Sequence, residues 1–258
     1  MPRFAANLSF MFTEVAFLDR FEAAAKAGFK AVEFLFPYEW KAADIAARLR
    51  ANGLTQALFN LPAGDFAKGE RGLAAIPGRE VEFDAALATA LAYAEALGCG
   101  RIHAMPGLRH HGAARPTYLA NLKKAARLAA KSGVDVIIEP INTRDIPGFF
   151  LNTTGEARSV IHEVGEPNLG LQFDLYHRQI QEGDTATALA EFMPLVRHIQ
   201  IANPPDRGEP DDGEMNYSYL FRRMDELGFR GFVGCEYKPR GDTVSGLKWA
   251  RACGVSLA

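Results

Sequence analysis

Short β-type runs and longer helical runs alternate eight times along this 258-residue chain. That alternation constrains the fold more than any other feature. The candidate strands are Phe4–Leu8, Ala31–Leu35, Gln56–Asn60, Arg101–Met105, Val134–Glu139, Leu169–Asp174, Val196–Gln200 and Gly231–Glu236. Between them lie segments rich in Ala, Leu, Glu, Lys and Arg. In Phe17–Ala27, the residues Phe17, Leu18, Phe21, Ala24 and Ala25 share one face at helical spacing, and Gly28 ends the run. Val81–Leu97 and Thr117–Lys131 read as two more helices. Strands separated by helices pair in parallel. Eight such units predict an α/β fold of one domain, a closed (β/α)₈ barrel, which typically takes about 250 residues. An open dinucleotide-binding sheet predicts a glycine-rich turn after the first strand. The sequence there, NLSFMF, has no glycine.

Composition excludes several classes. Hydrophobic residues are 48% and charged residues 23%, as in globular domains. The net charge of −2 supplies no footprint for nucleic acid. Cys99, Cys235 and Cys253 are far apart and form no CxxC pair, which fits a reducing compartment. No apolar run reaches the roughly 18 residues of a membrane span. The first residues lack a clean apolar segment with a cleavage site. The expectation is a cytoplasmic protein with no nucleic-acid or membrane partner. A homo-oligomer is compatible with the aromatic cluster Phe36, Tyr38 and Trp40, which reads equally as packing.

The chemistry gathers at the last four strand ends, IIEP, QFDLY, HIQIA and GCEYK. Their polar residues are Glu139, Asp174, Gln200 and Glu236, spaced 35, 26 and 36 residues apart, one βα unit each. Catalytic residues of (β/α)₈ barrels come from these C-terminal strand ends. Three carboxylates brought together need compensating charge. A divalent cation provides it, and carboxylate and amide oxygens suit Mg²⁺ or Mn²⁺. A network of Arg- or Lys-paired carboxylates is the alternative.

Other candidates surround these four. His177 follows Asp174 by three residues and suits a donor to substrate oxygen; the alternative is a loop His bonded to a carbonyl. His103 ends a strand and either faces the pocket or fills it. Spacing gives no reason to make His110 or His111 ligands. Arg207 and Lys238 are candidates for holding an anionic substrate. Asn7, Glu33 and Asn60 line the other half of the pocket or support it from behind. Two long connections follow strands, from Leu61 to about Arg79 and from Asn203 to about Asn216. Loops of this length in compact domains are usually functional or disordered.

Longer motifs add a resemblance. FAANLSFMF, VEFLFPY, NLPAGD, GERGLAAIPGRE, IEPIN with DIPGFF, QFDLYH, HIQIA with DRGEPDDGEMNY, and GCEYKPRG span nearly the whole chain. Together they resemble the hydroxypyruvate isomerase family, within the xylose isomerase-like barrels. That resemblance implies a metal quartet on Glu139, Asp174, Gln200 and Glu236, with Glu139 and Glu236 as the acid–base pair. It implies substrate contacts from His177 and Arg207, with Lys238 as a further candidate. The related sugar epimerases carry His where Gln200 stands, which argues against a plain ketose epimerase. The implied reaction interconverts hydroxypyruvate and tartronate semialdehyde by metal-assisted proton transfer through an enediolate, with a small hydroxy or oxo acid as substrate. A sister group, the 2-oxo-tetronate isomerases, shares the terminal motifs and supplies the alternative substrate. A metal-dependent endonuclease on a similar barrel and a non-catalytic binding barrel are the rival classes.

Overall fold

The computed structural model describes residues 2–257. Eight parallel strands close into a barrel in sequence order. They are β1 (Arg3–Asn7), β2 (Ala31–Glu33), β3 (Thr55–Asn60), β4 (Arg101–His103), β5 (Asp135–Ile138), β6 (Leu169–Asp174), β7 (Val196–Ile201) and β8 (Phe232–Cys235). Strand β1 pairs with both β2 and β8, so no edge is left open. The expected (β/α)₈ barrel is therefore the observed fold.

The outer helices include α1 (Arg20–Lys26), α2 (Ala42–Ala51), α3 (Glu80–Leu97), α4 (Arg115–Ala130), α5 (Thr154–Val164), α6 (Leu175–Gln181), α7 (Thr185–Phe192) and α8 (Tyr217–Glu226). Helix α3 ends at Gly98, whose φ of 62° suits the left-handed C-terminal turn. Helix α4 begins at Arg115, two residues before the sequence reading placed it. Pro116 sits inside its first turn, where a missing N–H costs nothing. No helix among the described residues is long and apolar enough to cross a membrane.

Strand alternation sorts the barrel. On β6, Leu171 and Phe173 join the main apolar core, while Gln172 and Asp174 take the alternate positions. On β7 the same split divides Ile199 and Ile201 from His198 and Gln200. A separate small cluster of Ala5, Ala31 and Ala57, with Phe232 against it, packs near the strand starts. Above it the interior turns polar. Branched apolar side chains usually fill such a barrel; here Asn7, Glu33, Gln172, His198 and Gln200 are buried in its place.

That polar layer is organised by Glu33. Its Oε2 lies 2.6 Å from His198 Nε2. Its Oε1 accepts from Asn7 Nδ2 at 2.9 Å and from Gln200 Nε2 at 2.8 Å. Gly234 makes room for it: a Cβ there would stand 2.3 Å from both Glu33 carboxylate oxygens.

Candidate active site

Glu139 and Glu236 each lie one residue beyond their strands, at the C-terminal lip of β5 and β8. Asp174 ends β6 and also caps α6, its Oδ1 accepting from Tyr176 N–H at 2.8 Å. His177 sits in the first turn of α6. One ligand atom from each of Glu139, Asp174, His177 and Glu236 falls within 4.8 Å of all the others. All four residues are buried.

A cavity of about 130 Å³ opens onto this cluster. Its polar lining comes from Asn60, His103, Glu139, His177, Arg207 and Glu236. Phe10, Phe36, Phe66 and Ile146 contribute apolar walls. Small-molecule sites commonly have this make-up, apolar with a few converging polar groups.

Arg207 reaches in from the connection after β7, with a φ of 61° that is uncommon outside glycine. Its Nη2 donates to Glu236 Oε2 at 2.6 Å and lies 4.0 Å from Asp174 Oδ2. Nη1 lies 3.5 Å from Asp145 Oδ2. The guanidinium sits about 5 Å from the ring centres of Phe10 and Tyr176. Burial works against its charge, but Glu236, Asp174, Glu139 and Asp145 more than offset that and raise its pKa.

One cation does not neutralise three carboxylates. Burial, then the charges of Glu236 and Asp174, push Glu139 well above the usual carboxylate range. Burial lifts Glu236 to about 8 against the opposing pull of Arg207. Burial lifts Asp174 to about 6, although Arg207 and two backbone N–H groups resist it. Glu139 Oε1 and Asp174 Oδ2 are buried with no hydrogen-bond partner. Buried acceptors rarely stay unsatisfied. Orphaned carboxylate oxygens beside surplus negative charge fit a hard divalent cation.

His177 has a different task within the cluster. Asn142 Oδ1 accepts the Asp145 backbone N–H at 2.8 Å, which fixes the amide orientation. Asn142 Nδ2 therefore faces His177 Nδ1, at 2.6 Å, as a donor. Nδ1 accepts, so the ring proton sits on Nε2. His177 thus presents N–H to the site instead of a lone pair. Burial, with the charges of Arg207, Arg144 and His103, keeps it well below the usual imidazole pKa.

Gln200 lies one layer below, outside the cavity lining. Its Nε2 donates to Glu33, and its Oε1 accepts from Gln172 Nε2. One lone pair on Oε1 remains. Lys238 is not brought to the cavity. Its side chain is exposed, and its backbone N–H donates to Arg207 O at 2.8 Å. Strand β8 ends at Cys235, so the alternation that aims Glu236 inward no longer governs Lys238. His103 does face the pocket, and burial, then the charge of His198, pushes its pKa down to about 3. His110 and His111 stay exposed in a short turn.

The first long connection packs against the site. Lys68 pairs with Asp65 and Arg79 with Glu70 inside it, and Arg79 also reaches Glu82 on α3. Arg71 lies over Phe66, whose ring lines the cavity. Gly72 fastens the loop to Pro106. Its φ of +119° and a Cβ position 2.2 Å from Met105 O admit only glycine. The cluster beside it is partly internal packing. Trp40 stacks on Phe17 at 4.0 Å, and Tyr38 Oη donates to Asn60 O at 2.6 Å. Sequence reasoning missed Asn142 altogether; the IEPIN motif contains it, but nothing in the spacing shows that it meets His177.

Residues 21–253 match the family described as xylose isomerase-like TIM barrel. The 2-oxo-tetronate isomerase of Cupriavidus necator is 58% identical, over 97% of this chain and 98% of that protein. The hydroxypyruvate isomerase of Escherichia coli K12 is 46% identical, over 96% and 98%. A crystal structure from Brucella melitensis, described as an AP endonuclease of family 2, is 51% identical and superposes with a TM-score of 0.95, over 98% of this chain and 99% of that one. The chain belongs to the xylose isomerase-like TIM barrel family, among relatives named hydroxypyruvate isomerase and 2-oxo-tetronate isomerase.

Proposed function

We propose that this chain is an isomerase that moves a carbonyl between C2 and C3 of a short 3-hydroxy-2-oxo acid. The carrying observation is the convergence of Glu139, Glu236, His177 and Arg207 on one small cavity. Hydroxypyruvate and 2-oxo-tetronate are both such acids. They differ by one hydroxymethyl group on C3, so one constellation serves either. The sequence motifs favour the three-carbon acid; the 58% identity to a 2-oxo-tetronate isomerase supports the four-carbon one.

The roles follow from the contacts. Arg207 pairs with the substrate carboxylate, a charge-assisted bond of the strong kind. One glutamate removes the proton on C3, and the C–H electrons form the C2–C3 double bond of an enediolate. The other glutamate returns a proton to C2, while the C3 hydroxyl gives up its proton and the C2 oxygen takes one, so that the C3–O bond becomes the new carbonyl and C2 carries the hydroxyl. Glu236 is the better base, because Arg207 and Asn7 both donate to its carboxylate and favour the ionised form. General acid–base help of this sort contributes about 10²–10⁴-fold. His177 Nε2–H donates to a substrate oxygen as charge builds there. The apolar walls, Phe66 among them, keep water from the intermediate.

Glu139, Asp174 and Glu236, with the remaining lone pair of Gln200, are the donors that would hold a divalent cation. When bound, it supplies Lewis-acid stabilisation of the developing negative charge, worth several kcal/mol.

An endonuclease reading has less support. Among the described residues the cluster contains one histidine, and Arg207 is the one arginine or lysine lining the cavity, far short of a basic track for a phosphate backbone.

The test is turnover of EDTA-treated protein on both acids, with Mg²⁺ or Mn²⁺ restored. Isomer formation that returns with the ion is the expected result. Absence of turnover on both acids, with the protein folded and the ion bound, removes this reading.

A further inference from the structure

The proposed reaction uses a defined set of polar contacts. A three-carbon acid brings a carboxylate, one carbonyl and one hydroxyl. Arg207, His177 and the Glu139–Asp174–Glu236 cluster account for all three. The cavity holds more polar groups than that.

The surplus sits on β3 and β4. Asn60 and His103 are the last residues of these strands and lie side by side in the sheet register. In a closed eight-stranded barrel this wall stands across from β7 and β8, the side that carries Arg207 and Glu236. Both residues line the cavity. His103 is 1% exposed, and both its ring nitrogens are buried without a hydrogen-bond partner. Its Nδ1 is 3.8 Å from Glu139 Oε2, beyond hydrogen-bond range. Among the described residues, Asn60 Nδ2 meets only the Met105 thioether, at 3.9 Å. Polar side chains at a cavity wall that forgo ordinary partners fit a ligand that supplies them.

A four-carbon chain spans the cavity in the right order. With its carboxylate on Arg207 and C2–C3 between the glutamates, its far end points to the β3–β4 wall. That end carries the additional hydroxyl, on C4, which both donates and accepts. We infer that His103, with Asn60 beside it, binds the C4 hydroxyl and selects the four-carbon substrate over the three-carbon one. This rests on the isomerase reading of the same site.

The hydrogen bond can be separated from size by removing single atoms. Three probes suffice: 2-oxo-tetronate, its 4-deoxy analogue 3-hydroxy-2-oxobutanoate, and hydroxypyruvate. The enzymes are wild type, His103→Phe and His103→Gln. Wild type should lose at least about 100-fold in kcat/KM between 2-oxo-tetronate and the deoxy analogue, as sites built around a substrate hydroxyl do. His103→Phe should bring that ratio within about threefold, and should lower kcat/KM on 2-oxo-tetronate by at least about tenfold more than on hydroxypyruvate, which lacks the C4 hydroxyl. His103→Gln, which keeps a donor and an acceptor, should restore part of the ratio. The Phe variant should melt no lower than wild type, because it removes buried polar atoms that lack partners. If the Phe ring is not accommodated, His103→Leu, which also removes donor and acceptor, carries the same comparison.

Equal loss on all three acids would make His103 structural and overturn the inference. A wild-type enzyme that treats 2-oxo-tetronate and its deoxy analogue alike would overturn it too. Wild type inactive on every acid would instead remove the isomerase reading, and this assignment with it.

Discussion

Asn142 Nδ2 lies 2.6 Å from His177 Nδ1, and both side chains are buried. The contact decides which face of the imidazole the site receives. Because Asp145 N–H occupies Asn142 Oδ1, the amide cannot turn over without losing a bond. With Nδ1 accepting from Asn142, the ring proton sits on Nε2, which lies 3.7 Å from Asp174 Oδ2 and 3.5 Å from the Arg207 guanidinium. Asn142→Ala should lower turnover about 10–100-fold, the range typical of residues that orient a site group from behind. It should cost about 1–3 kcal/mol of stability. Steady-state kinetics and the ¹⁵N shifts of the His177 ring check both parts. Unchanged rates with an altered tautomer would remove the assigned role.

The apo protein should have a narrow pH range of stability. Glu236, raised from 4.5 to about 8, and Asp174, raised from 3.8 to about 6, hold their protons more tightly when folded. Their contribution is intact below about pH 4 and is lost as pH rises through those folded values. His103, lowered from 6.5 to about 3, acts in the other direction. Its contribution is intact above about 6.5 and is lost as pH falls toward 3. Between pH 6.5 and 8 only the carboxylate loss remains, about 2 kcal/mol from Glu236, with the raised Glu139 acting in the same direction. Melting of EDTA-treated protein should drop by roughly 4–8 °C over that interval. Mn²⁺ or Mg²⁺ should raise the melting point more at pH 8 than at pH 6.5, because the ion competes with those protons. A flat profile from pH 6.5 to 8 would contradict the assignment.

Glu33 carries the polar layer beneath the site. Glu33→Ala strips acceptors from His198, Asn7 and Gln200 together. Loss of about 3–5 kcal/mol is expected, as when one partner of a buried network is removed. Gly234→Ala reaches the same carboxylate from the other side. Its Cβ would press on both Glu33 oxygens, and the cost should be about 1–3 kcal/mol. Denaturant titration measures both. A neutral Gly234→Ala would show that Glu33 has room to move.

The barrel was legible in the sequence because strand and helix periodicities differ and alternate eight times. Boundaries departed by a residue or two where the chain left the sheet early, as at β2 and β4. Glu139, Asp174 and Glu236 were legible because each ends a run of apolar strand residues. Lys238 was not, since strand parity stops at Cys235. Contacts such as Glu33 with His198, 165 residues apart, leave no local pattern. The same holds for the orientation of Asn142, set by a backbone N–H three residues later. Gln200 was placed on the right strand, but its engagement with Glu33 and Gln172 emerges only when three strands close together.

The central claim is proton transfer between C3 and C2 by the Glu139–Glu236 pair. Isomerisation of 2-oxo-tetronate in D₂O, followed by NMR over many turnovers, tests it most directly. Deuterium should appear on C2 of the product with wild type, and Glu236→Gln should slow both isomerisation and incorporation by at least about 100-fold while remaining folded. Product that keeps the original C3 hydrogen on C2 throughout would show a hydride shift and contradict the account.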